Sequence, residues 1–128
     1  MSRFDLGFGN TALRAMNYTD VTTTQAGTTI DLKDRRGALF ILDSHTLASG
    51  TFTFKLQESD DNSTWSDVDA SYVDAATNSI AFADTEDNTT KQISYHGLER
   101  YVRCFCTATS PSSTNFLSAT VVVAENYA

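Results

Sequence analysis

The residues best equipped for chemistry lie between Glu58 and Asp87, where acids recur and neither Lys nor Arg occurs. Asp60, Asn62, Thr64 and Ser66 fall on alternate positions, the spacing at which a calcium loop presents its first oxygen ligands. Such a loop needs glycine at its sixth position and a closing glutamate at its twelfth. Trp65 and Ser71 stand there instead, so no metal is expected. Asp84 to Asn88 is a second polar run, read as a solvated loop. His45 and His96 are far apart, and neither has a Cys or His at zinc-ligand spacing.

Nucleophilic catalysis asks for a Ser or Cys beside a base and an orienting acid, on a strained turn. No Gly-x-Ser-x-Gly occurs. A carboxylate pair for glycoside hydrolysis leaves no local spacing signature, yet 128 residues leave little room for a walled cleft. Phosphate-cradling glycine loops are missing as well. The chain is therefore read as a non-enzyme, with no catalytic residues and no cofactor. Cys104 and Cys106, two apart in a strand, project from one face; they are read as small buried apolar groups rather than a disulfide. Trp65 and Tyr101 have rings able to stack a sugar. Trp65 is assigned to the core, because Val68 falls near it in the same short strand.

The elements that must position these groups are strands. In Thr51 to Val68 the residues Phe52, Phe54 and Leu56 alternate with Thr53, Lys55 and Gln57, the period of a half-buried strand. A polar turn follows, and Thr64 to Val68 resumes an extended pattern. The acids therefore sit on a hairpin tip. Thr28 to Leu32 forms a short alternating strand. Ala38 to Leu42 is apolar at every position, as expected of a central strand covered on both sides. Asp69 to Ser79 reads as loop or short helix, Ile80 to Phe82 as a brief strand, and Arg100 to Thr109 and Phe116 to Val123 as long ones. Strands at turn spacings of roughly eight to twelve residues indicate an all-β antiparallel sandwich, jelly-roll or Ig-like.

Residues 1–20 read as an extended N-terminal arm and residues 21–128 as the sandwich domain. Phe4, Leu6 and Phe8 alternate with Asp5, Gly7 and Gly9, and Thr11 to Asn17 allows a single helical turn. This stretch is either a frayed terminus or an arm that orders on a neighbouring subunit.

A net charge of −7 argues against nucleic acid as partner, since such binders need basic stripes. The charge is uneven: Arg3, Arg14, Lys33, Arg35 and Arg36 all lie in the first third. No run reaches the ~20 apolar residues of a membrane span, and Ser-Arg-Phe-Asp after Met1 lacks the apolar core of a signal peptide. No membrane partner is expected, and synthesis in a reducing compartment is.

Three segments together resemble a family of small tailed-phage virion proteins encoded among head genes. They are Gly27-Thr-Thr-Ile-Asp-Leu, Phe54-Lys-Leu-Gln-Glu-Ser-Asp-Asp-Asn-Ser-Thr-Trp-Ser-Asp-Val, and Gly97-Leu-Glu-Arg-Tyr-Val-Arg. The resemblance spans Gly27 to Val123 and implies a capsid decoration (cement) or accessory head protein on the virion surface. It further implies the major capsid protein as partner and a small homo-oligomer, a trimer favoured. Contact residues expected on this reading are Arg3, Phe4, Leu6, Phe8, Leu13 and Arg14. The alternatives are a glycan-binding adhesion module of a fibre, using Trp65 or Tyr101, and a tail or connector ring component.

Overall fold

The structure is a computed structural model, and it describes residues 9–112 and 114–125. Ten strands follow one another: β1 (Asn10–Asp20), β2 (Gln25–Ala26), β3 (Ile30–Asp31), β4 (Arg35–Ser44), β5 (Thr51–Ser59), β6 (Ser66–Asp67), β7 (Ile80–Ala83), β8 (Thr90–Tyr95), β9 (Tyr101–Thr109) and β10 (Phe116–Glu125). A four-stranded sheet runs β1-β10-β4-β8. The second sheet is built on the β9-β5 pair, with β2 and β3 both on the open side of β9 and β6 and β7 both on that of β5. Every pairing is antiparallel. Taking β2/β3 and β6/β7 as two interrupted strands leaves eight. Their order is that of a jelly roll, and the Ig-like alternative drops out.

Alternation builds the core. Phe52, Phe54 and Leu56 of β5, flanked in their own sheet by Val102, Cys104 and Cys106 of β9, face Phe40 and Leu42 of β4 and Leu117 and Val121 of β10, all fully buried. Each such side chain contributes about 1.5–3 kcal/mol on leaving water. The Thr51–Val68 hairpin forms as its sequence predicts, with Gln57 opposite Asp67 and Glu58 opposite Ser66.

Asp69–Ser79 is loop with a short 3-10 turn at Ala70–Tyr72, as its sequence allows, capped by the Asp69 carboxylate accepting from the Ser71 amide. Two expectations change. Thr11 to Asn17 makes no helical turn: it belongs to β1, paired with Ala124 through Phe116 of β10. A single turn's helix propensity is outweighed by a full ladder of tertiary pairing. Residues 10–20 thereby join the sandwich as an edge strand. Among the described residues, Ala38 to Leu42 is covered on one side only. Phe40 and Leu42 are fully buried, while Leu39 and Ile41 remain partly exposed.

The two open sides of the sandwich are closed differently. On one, Gly27 donates to the Cys104 carbonyl and Thr28 to the Ala15 carbonyl, both at 2.7 Å, so one dipeptide ties the two sheets together. A β-carbon at Gly27 would lie 2.5 Å from the Ala15 oxygen and 2.7 Å from the Cys104 sulfur, and only glycine permits that approach. On the other side Val73 bridges Tyr95, and the amides of Asp74 and His96 donate to the Ser94 and Tyr72 carbonyls.

Candidate interaction surfaces

The hairpin acids serve the turn. Asp61 accepts from the Ser59 hydroxyl and from the amides of Ser63 and Thr64 at 2.8–2.9 Å, and these hydrogen bonds, the Thr64 amide first, hold its carboxyl below the usual range. Asn62 takes the left-handed backbone, φ 59°, that a tight reversal asks for. Glu58 accepts from the buried Tyr95 hydroxyl at 2.8 Å, which accepts in turn from the Glu99 amide at 3.1 Å. Among the described residues no three His, Cys, Asp or Glu converge as metal ligands.

His45 and His96 lie at opposite ends of the sandwich. His45 shares a hydrogen bond with Ser118 at 2.9 Å and meets the Tyr18 ring at 4.8 Å, while His96 lies edge-on to Tyr72. Cys104 and Cys106 are free and buried. Burial pushes both thiols up to about 12, which removes the thiolate needed for nucleophilic or metal chemistry.

Trp65 is not in the core. It lies half-buried on the outer face of the six-stranded sheet, beneath the Arg103 guanidinium at 4.2 Å. Val68, three residues on, does turn inward, so the sequence signal belonged to Val68 alone. Arg100 lies 4.9 Å over the Tyr101 ring and Lys55 5.2 Å over Phe105. Each outer ring thus carries a cation, and the stacked surface a pyranose needs is already engaged. Arg100 also clasps Asp31 through two hydrogen bonds of 2.9 and 2.8 Å. That contact draws the Asp31 carboxyl down to about 2.

The expected contact residues divide. Arg3, Phe4, Leu6 and Phe8 lie outside the described residues. Leu13 and Arg14 stand in β1 and point to opposite faces: Leu13 opposes the buried Val121, and Arg14 opposes Thr120 on the outer surface. Both are exposed on this edge strand.

Sequence reasoning missed the end of the sandwich from which β1 starts. There the turns 32–36 and 96–100 frame an open depression of about 420 Å³ with Lys33, Arg35, Arg36 and Arg100 on its walls. Leu98 projects beside it, 87% exposed. Arg35 pairs with Glu125 and Arg100 with Asp31, while no ion pair among the described residues engages Arg36. Lys33, Arg35 and Arg36 were visible as a basic cluster; their meeting with Leu98 depends on the fold.

No family model matches the chain, and no curated protein does. Among solved structures, the crystal structure of the SPBc2 prophage-derived protein YomS superposes with a TM-score of 0.54 at 13% identity. The match covers 89% of this chain and 91% of that one. The two chains share a fold. At this identity the likeness to YomS extends to architecture alone.

Proposed function

We propose that this chain is a structural virion protein of a tailed phage that binds the outside of the assembled capsid and stabilises junctions between capsomers. The reading rests on the resemblance carried by the 27–32, 54–68 and 97–103 segments. A prophage-derived chain with the same architecture supports it. The structural observation that favours docking over other roles is Leu98. It is an apolar side chain 87% exposed, on a turn beside four cations, in a chain of net charge −7. Burying this side chain against a partner while the neighbouring cations meet its acids contributes about 1.5–3 kcal/mol. The partner surface is then acidic with an apolar dimple, on the major capsid protein. Arg3, Phe4, Leu6 and Phe8 belong to the proposed contact set on the strength of the resemblance alone.

The test is co-sedimentation with purified capsids lacking the protein. Removal of residues 1–8 leaves β1 intact, whereas a cut at Val21 would take an edge strand from the sheet. Leu98→Asp combined with Arg36→Glu should weaken binding by roughly tenfold or more. Binding unchanged in both variants would overturn the assignment of this end.

A further inference from the structure

The outer face of the four-stranded sheet stands apart from the rest of the surface. Along β4, Leu39 and Ile41 alternate with the buried Phe40 and Leu42. The pairing register places Leu39 beside Val122 and Ile41 beside Thr120, with Ala12 and Arg14 of β1 completing the two rows. On the β8 side the rows continue into Ser94 and Gln92. Among the described residues these rows and the next, where Ser118 opposes Asp43, carry one cation, Arg14, and one anion, Asp43. A neutral, partly apolar face on a chain of charge −7 is unusual, since apolar surface gathered on one side marks an interaction site. At the end of the sheet nearer Asp43, Tyr18 stands 56% exposed, stacked at 5.0 Å on Phe116 and braced by His45. Tyrosine held rigid in this way contributes contact area at low entropic cost.

We infer that this face packs against the same face of a second copy of the chain. Three observations select that occupant. First, Ala38 to Leu42 is apolar at every position, the composition of a strand covered on both sides, yet the described residues supply cover on one; an identical sheet laid across it supplies the other, as in sheet-on-sheet packing. Second, two copies each carrying −7 repel through most of their surfaces, and this face lets them approach without like charges meeting. Third, β1, β4 and β10 at about 30–35 Å and the shorter β8 at about 20 Å, spaced about 4.8 Å apart, offer roughly 550 Å² per copy. The pair then buries about 1,100 Å², just above the ~1,000 Å² a specific contact requires. The basic end with Leu98 lies outside this face and stays available for the capsid.

Light scattering after size exclusion, on the full chain without capsids, tests this directly. The expected species is a dimer, with twice the mass of the chain. Ile41→Lys, or the milder Thr120→Arg at an already polar position, sets like charges against each other and should weaken dimerisation by at least about tenfold. Circular dichroism and the unfolding midpoint check that each variant is folded. Thr53→Lys adds the same charge to the outer face of the other sheet and should leave the dimer intact. A monomeric wild-type chain would overturn the inference, as would a trimer, whose contacts are head-to-tail. So would folded variants that remain dimeric. A monomer whose capsid binding is lost in Ile41→Lys would assign the face to the capsid instead. Failure of a dimeric wild-type chain to bind capsids would count against the proposed function and leave the dimer face standing.

Discussion

The Asn78 carboxamide pairs with Leu56 as a neighbouring strand would: Oδ1 accepts from the Leu56 amide at 2.8 Å and Nδ2 donates to its carbonyl at 2.9 Å. The same nitrogen reaches the Val68 carbonyl at 3.0 Å. One side chain thus fills the gap between β7 and β6 along the edge of β5. Asn78→Ala leaves a buried amide with one partner fewer and should cost about 1–3 kcal/mol. Asn78→Asp keeps the acceptor and loses the donors, so it should be no milder. Urea denaturation of both variants measures this, and a loss within error of zero would mean that water replaces the carboxamide.

Trp65 gives a sharper contrast. Phe54 is fully buried and meets Phe82 edge-on at 6.0 Å, so Phe54→Ala should cost about 3–5 kcal/mol. Trp65, larger but half-buried under Arg103, should cost clearly less, on the order of 1–2 kcal/mol for its cation–π contact and partial burial. It is the one tryptophan in the chain, which makes its fluorescence a direct reporter. Arg103→Gln should raise acrylamide quenching of that emission while leaving the fold unchanged. Quenching as low as for a core indole would contradict the outer position.

Asp31 and Arg100 set an acid-dependent element. The folded-state value of Asp31 lies at about 2, against an ordinary 3.8, so folding favours its ionised form. The contribution is complete above roughly pH 4 and drains away as pH falls toward 2. Both partners are largely exposed, so solvent screening keeps the effect small. Unfolding midpoints measured from pH 5 to pH 2 should fall less steeply in Asp31→Asn than in the wild type.

The thiols should be silent in the native state. With Cys104 and Cys106 buried and pushed up to about 12 by burial, neither should react with a disulfide reagent at pH 8. Both should react in denaturant. Rapid native labelling would mean that β9 opens locally far more often than its central position allows.

Gly27 should tolerate nothing larger. Gly27→Ala drives a β-carbon to 2.5 Å from the Ala15 carbonyl oxygen, backbone against backbone, so the sheets must separate at the tie point. A cost of roughly 1–3 kcal/mol is expected from strain of this kind, read from the shift in urea midpoint.

Period-two strands were the legible part of the fold. Phe52, Phe54 and Leu56 announce their buried face because nothing competes with the alternation. Thr11 to Asn17 misleads because Ala-Leu-Arg-Ala-Met has helical preference, and only the distant β10 decides the matter. For Ala38 to Leu42 composition records that both faces prefer cover and says nothing of which molecule provides it. The basic end escaped notice because Leu98 lies more than sixty residues from Lys33, and an exposed leucine has no sequence signature. The Trp65 assignment failed for a related reason: a single ring just ahead of a two-residue strand carries no period.

The amide of Glu125 donates to the carbonyl of Gly9 at 2.7 Å, so the two ends of the described chain lie side by side next to Leu98. Cargo joined directly at Gly9 or Glu125 would therefore crowd the end proposed for docking. The opposite end holds the segments 45–50 and 110–115, clamped together by the Asn115 carboxamide accepting from Ala48 and Ser49. A display scaffold built on this protein would carry its insert there, at the tip of one of those loops, with Asn115 left in place as the rivet beneath it.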